Sequence, residues 1–180
     1  EEYCTILEQL RQHNALWLLP YVQEQFREQY LPQMQEEVMQ GLQNLAKILE
    51  KKSYFVVSSC MNHRLAEVPW KKMLLKKSRF AAPCGDWTRK QCPDGCEEGI
   101  QAVTEEDQER LQECFKELKG NVFSEPFLGK CPKCGKMQIL NNVYAERYDE
   151  KGYLKNWTEY QNWVQNTLNH KMVLLEIGVG

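Results

Sequence analysis

The sequence predicts an α/β fold with a helical N-terminal lobe, a parallel sheet and an inserted four-cysteine ribbon. Three observations predict it. The first 50 residues carry apolar positions at helical spacing. Tyr54-Phe55-Val56-Val57-Ser58-Ser59 is a short β-branched and aromatic run following that helical stretch. Between residues 92 and 134 lie two close cysteine pairs, Cys92 with Cys96 and Cys131 with Cys134.

The elements follow in order. In the lobe, Leu7, Leu10, Trp17, Leu18, Tyr21, Val22, Phe26, then Val38, Leu42, Leu45, Ile48 and Leu49 recur at helical spacing; Pro20 and Pro32 punctuate it, and Leu31-Pro32 starts the helix running to Glu50. Its polar face, acidic and rich in glutamine, is expected to be solvated surface. The run 54–59 is apolar on both faces, which predicts a buried parallel strand, and the polar residues Ser58 to His63 fall at its carboxyl end, where open α/β sheets bind ligands.

Residues 71 to 90 hold a basic cluster, Lys71, Lys72, Lys76, Lys77, Arg79, Arg89 and Lys90, interleaved with Trp70 and Trp87. Such a mixture can grip phosphates and stack on bases. The formal net charge of −2 gives no global reason for nucleic acid, so solvated lysines around two partly buried indoles are expected instead.

The cysteines carry the most specific signal. Four thiolates offered as two short-spaced pairs suit a tetrahedral metal such as zinc, because each tight turn brackets the ion from one side. Pro132 stiffens the second turn, Gly135 frees its backbone, and Asp94-Gly95 turns the first. Cys92, Cys96, Cys131 and Cys134 are therefore the expected zinc ligands. The competing reading is two disulfides or neighbouring free thiols. With eight cysteines and no evident leader, a reducing compartment, the cytoplasm, is expected.

A helix is predicted over Thr104 to Lys119, capped by Thr104 with Glu105, Glu106 and Asp107 in its first turn and stopped at Gly120. Cys114 falls on its apolar stripe with Leu111, Phe115 and Leu118 and is read as core. Met137 to Val143 is a ribbon strand; Asp149-Glu150-Lys151-Gly152 turns into a helix with Trp157, Tyr160, Trp163, Val164 and Leu168 on one face. Residues 171–180 read as a second buried strand ending in a glycine turn. No apolar run reaches the roughly 20 residues that span a bilayer. The chain starts in helix and stops on a glycine turn, so truncation at both ends is expected.

The order of these parts resembles the sirtuins, the NAD-dependent protein deacylases, and is most similar to divergent bacterial members from about Leu31 onward. The run 54–63 resembles the sirtuin strand that ends in two hydroxyl residues and an Asn-x-Asp motif. Gln91 to Cys96 with Cys131 to Gly135 resembles the sirtuin zinc ribbon, and residues 174–180 resemble the strand and loop covering the cofactor. The resemblance implies a Rossmann-like parallel sheet formed by 1–87 and 144–180, with a zinc-ribbon module at 88–143. It implies Zn2+, NAD as a candidate cofactor, Cys60, Asn62, Gly178 and Gly180 beside it, and a protein or acylated peptide as partner.

Departures from the family pattern are chemical. Cys60-Met61-Asn62 stands where the family has Asn-x-Asp, Cys84-Gly85 stands where it has the His-Gly that supplies the general base, and the glycine-rich dinucleotide loop has no counterpart. His63 and Cys84 are the candidate bases, the thiol only if a cation such as Arg89 or Lys90 lowers its pKa. Cys60 and His63 could suggest a thiol-imidazole pair, but no orienting third residue is evident. The expected function is a zinc-binding, sirtuin-like binding domain without the usual deacylase residues. The alternatives are an active NAD-dependent deacylase or ADP-ribosyltransferase with atypical site residues, and a zinc-ribbon nucleic-acid binder.

Overall fold

The computed structural model describes residues 1–66, 68, 79–96 and 99–178. Within them the chain is mixed α/β, with a two-stranded parallel sheet and a three-stranded antiparallel sheet. Helices α1 (Glu2–Gln12), α2 (Leu19–Tyr30) and α3 (Pro32–Leu49) form the N-terminal part, with a 3-10 turn at Leu16–Leu18 leading into α2. Prolines open α2 and α3 within their first two positions, where the missing N–H costs no helical hydrogen bond.

Strand β1 (Val56–Val57) pairs in parallel with β2 (Phe80–Ala81), with Val56 opposite Phe80 and Val57 opposite Ala81. The six-residue buried strand expected over 54–59 is thus shorter and less covered. Val57 is 43% exposed, because the two-stranded described sheet has little to pack on that side. Strand β3 (Gly85–Gln91) is the centre of the antiparallel sheet, between β4 (Gln101–Ala102) and β5 (Ile139–Asn142). This strand lies in the stretch whose charges suggest a surface patch. Its buried positions are Trp87, Lys90 and Gln91, two of them polar, and they follow no strict alternation because the register shifts between Gly85 and Lys90.

Helix α4 (Glu105–Lys119) follows β4. Thr104 caps it in a full capping box, its hydroxyl accepting from the Asp107 N–H while the Asp107 carboxylate accepts from the Thr104 N–H. Leu111, Cys114, Phe115 and Leu118 face inward, as their spacing requires. They join Ile6, Leu10, Trp17, Leu18, Tyr21 and Val22 of the helical lobe, and Trp87, Leu128 and Leu140, in one core. The helical lobe therefore packs on the segment that holds the cysteine pairs. A smaller cluster, Ala46, Tyr54, Val68 and Phe80, joins α3 to the parallel pair.

Helix α5 (Lys151–Asn166) buries no residue fully. Its aromatic stripe meets Phe55, whose ring centroid lies 5.3 Å from Tyr160 and 6.1 Å from Trp163. Residues 171–177, expected as a second buried strand, form no strand and stay exposed, Val173 at 89% and Leu174 at 77%. A strand needs a neighbour to receive its backbone groups, and no described residue supplies one here. Lys71, Lys72, Lys76, Lys77, Trp70 and Gly180 lie outside the described residues.

Buried polar groups fasten the sheet to its surroundings. The Lys90 ammonium donates to Asp107 Oδ2 at 2.6 Å and to the Leu128 carbonyl at 2.7 Å. Burial disfavours the charged Asp107 carboxyl, but hydrogen bonds from Lys90 and Thr104 outweigh it and hold its pKa below the usual range. Gln91, fully buried, donates to the Arg147 carbonyl at 2.7 Å and accepts from Asn141 at 2.6 Å and the Asp149 N–H at 3.0 Å. Asn142 donates to the Trp17 carbonyl at 2.9 Å, tying β5 to the helical lobe.

Lys90→Met should cost about 3 to 5 kcal/mol, because it strands a buried carboxylate. Urea unfolding measures this. A loss below about 1 kcal/mol, the range of an exposed ion pair, would show that water reaches Asp107.

Candidate functional site

Strand β3 delivers two sets of chemically active residues, one at each end. At its carboxyl end the chain passes through Gln91 into Cys92. Asp94 and Gly95 then turn it, with the Gly95 N–H on the Cys92 carbonyl at 3.1 Å and Gly95 at φ 69°. The second pair sits on a matching turn. There the Gly135 N–H meets the Cys131 carbonyl at 2.9 Å, Gly135 has φ 73°, and the Cys131 N–H closes onto the Lys136 carbonyl at 2.8 Å. Glycine suits both positions because this left-handed backbone strains residues that carry a Cβ.

The four sulfurs of Cys92, Cys96, Cys131 and Cys134 lie within 4.8 Å of one another. Cys92 and Cys134 sulfurs are 3.5 Å apart, and all eight cysteines are free of disulfides. A tetrahedral zinc with sulfur at about 2.3 Å needs sulfurs roughly 3.8 Å apart, so the group can hold a metal ion such as zinc. Of the competing reading, the two disulfides are not formed, while the four thiols are free and adjacent.

Backbone amides point at the sulfurs. The Asp94 N–H lies 3.4 Å from Cys92 Sγ. The Cys134 N–H does most to bring the Cys131 thiol down to about 7; burial opposes it and the Lys133 N–H adds to it. Hydrogen bonding to Cys92, with burial, pushes Cys96 up to about 12. Four neighbouring thiols cannot all ionise unless a cation offsets their repulsion. Outside the sulfurs, Lys136 Nζ bridges to Asp94 Oδ2 at 2.7 Å and pins one turn to the other. The sequence offered the Asp94 turn but no signal for this bridge.

At its amino end β3 starts at Gly85, directly after Cys84. Gly85 has φ 71°, and a Cβ there would stand 2.3 Å from the Asn141 carbonyl oxygen, so only glycine fits. The parallel pairing brings the tips of β1 and β2 to one edge, carrying Cys60 and Asn62 from one strand and Cys84 from the other. Ser58 Oγ accepts from the Cys60 N–H at 3.1 Å, and Asn62 Oδ1 accepts from the Arg64 N–H at 3.0 Å. Burial, with the nearby Cys60 charge, pushes the Cys84 thiol up. The condition for Cys84 to act as a base was a cation lowering its pKa; Lys90 is instead spent on Asp107. Gly178, the other cofactor candidate, is exposed at φ 66°.

His63 turns toward the helical lobe. Its Nδ1 lies 2.6 Å from Glu24 Oε1, and its ring meets the Trp87 indole edge-on at 4.6 Å. Glu24 is 1% exposed; its other oxygen accepts from Trp87 Nε1 at 2.8 Å, and Arg64 Nε lies 3.5 Å from Oε1. Burial opposes ionisation of Glu24, yet His63, Trp87 and Arg64 together hold its carboxyl below its ordinary value. Sequence reasoning missed Glu24, since one glutamate in a glutamate-rich helix has no local mark.

A scan against protein-family models and a search of curated proteins find no match to this chain. No helix among the described residues is long and apolar enough to cross a membrane.

Two outcomes are expected. Cys131→Ser combined with Cys134→Ser should abolish metal retention and lower thermal stability, read as metal per chain after desalting; unchanged metal content would remove the four-sulfur assignment. For Glu24 the folded pKa lies below the ordinary value of 4.5, so its stabilising contribution is present above that pH and fades as acid carries the solution through the folded value. Glu24→Gln should therefore show a shallower loss of stability between pH 5 and 3 than the wild-type chain, at equal metal loading; parallel curves would mean Glu24 does not feel His63 and Arg64.

Proposed function

We propose that this chain is a zinc-stabilised, sirtuin-like binding domain in which the residues for NAD-dependent deacylation are replaced. The observation that carries the reading is the composition of the edge formed by β1 and β2. Cys60 and Asn62 follow β1 and Cys84 follows β2 there, while His63 turns toward Glu24. The thiol of Cys84 is raised rather than lowered, and His63 is engaged by Glu24. Proton abstraction from a ribose hydroxyl needs a base poised near neutral pH. The Cys84 thiol is not so poised, and the Nδ1 edge of His63 is taken up by Glu24.

The four-cysteine cluster supports this reading, with zinc in a structural role. Four cysteines leave no open position for water or substrate, which is the signature of a metal that holds a fold rather than one that reacts. Its ligands would be Cys92 and Cys96 at the end of β3 and Cys131 and Cys134 just before β5. The ion would close a module whose backbone turns already point amides at sulfur, and binding energy would become folding energy. A Rossmann-like extension of the β1–β2 pair belongs to the same proposal. So do an acylated peptide or protein as partner and a cytoplasmic location. The nucleic-acid alternative loses Lys90, which is buried against Asp107 and cannot reach a phosphate.

Calorimetric titration of the zinc-loaded protein with NAD tests the reading. We expect no saturable heat. Saturable binding would overturn the loss of the cofactor site and favour an active deacylase or ADP-ribosyltransferase with atypical residues.

A further inference from the structure

Helix α3 carries two adjoining apolar stripes, and the described chain packs on one of them. Met39, Leu42, Ala46 and Leu49 join Tyr54, Val68 and Phe80 in the smaller core. The other stripe is Leu31, Met34, Val38, Gly41, Leu45 and Ile48, which advances by alternate steps of three and four residues. That is the spacing of a helix that seats along another helix. Leu31 is 44% exposed, Met34 52%, Val38 56% and Ile48 68%. A continuous apolar row left in water marks an interaction face.

Gly41 falls in the middle of this row and of the helix. A glycine inside a helix weakens it relative to alanine, yet a Cβ placed at Gly41 would meet no atom within 4 Å. Packing among the described residues therefore gives no reason for glycine here. A second helix crossing close to the backbone does.

The row is also its own complement. When two copies of α3 lie antiparallel about a two-fold axis between Met39 and Gln40, Leu31 falls opposite the partner's Ile48, Met34 opposite the partner's Leu45, and Val38 opposite the partner's Gly41. Every apolar position then meets another, and the valine seats over the glycine. Charge favours the same direction. Glu36 and Glu37 lie in the first half of α3, whereas Lys47, Lys51 and Lys52 lie at its end or just beyond, with Glu50 the one acid among them. Antiparallel helices bring the acidic half beside the basic end and oppose their dipoles, while parallel ones set like against like.

We propose that α3 pairs antiparallel with α3 of a second copy of this chain, forming a two-fold dimer that crosses at Gly41. The helix has 18 residues and so spans about 27 Å. A contact of that length stands at the lower end of specific interfaces, so dimer and monomer exchange with concentration. The inference is independent of whether NAD binds.

Sedimentation velocity of the zinc-loaded full chain over a concentration series tests it. The expected result is a reversible monomer-dimer equilibrium. Val38→Glu and Ile48→Glu, each at an exposed position, should raise the dissociation constant about tenfold or more without loss of helical circular dichroism, because each buries an unpaired charge in the interface. Leu31→Lys should do the same. The double variant Leu31→Lys with Ile48→Glu should recover much of the loss, since each lysine then faces a glutamate of the other copy. Within one chain the two positions sit near opposite ends of α3, too far apart to pair. A chain that stays monomeric throughout would overturn the proposal, as would association that survives Val38→Glu and Ile48→Glu but is lost on Leu174→Glu. Failure of the double variant to recover would refute the antiparallel register.

Discussion

The ammonium of Lys90 sits among an aspartate, a backbone carbonyl and the core, with its side chain 8% exposed and that of Asp107 6% exposed. A charge so placed is tolerated only while its partners hold still, so the contact fixes three segments at once. Strand β3 supplies the lysine, the first turn of α4 supplies the carboxylate, and the loop at Leu128 supplies the carbonyl. That loop leads directly to Cys131, and β3 leads directly to Cys92. The ion pair therefore ties together the two segments that lead into the cysteine turns.

Polar side chains perform the same office elsewhere along β3. Trp87 reaches Glu24, which in turn holds His63 and Arg64. Gln91 holds the backbone at Arg147 and Asp149. The described chain is thus assembled around a strand whose interior contacts are largely hydrogen bonds, with apolar packing concentrated between the helical lobe and α4. Such an arrangement is exacting, since each amide or carboxylate left alone in the interior costs more than its bond contributes.

What the sequence disclosed follows from where the information is local. The cysteine pairs, the Thr104 cap, the Cys114 stripe and the proline start of α3 each depend on neighbours within a few residues, and all are present in the structure. Strand β3 was hidden because its buried positions are filled by Lys90 and Gln91, whose partners lie far along the chain. The run 171–177 failed in the opposite sense. Its composition favours a strand, but pairing is a property of two segments and its own residues cannot provide the second.

The uncovered stretch from Met172 to Ile177 also bears on how the protein behaves in company. Met172, Val173, Leu174, Leu175 and Ile177 are all more than half exposed, with Glu176 the one charge among them. Segments of this length, high in β-propensity and low in charge, are the seeds from which intermolecular sheets grow. The stretch from Met172 to Ile177 thus has the composition of such a seed while contributing nothing to the described core.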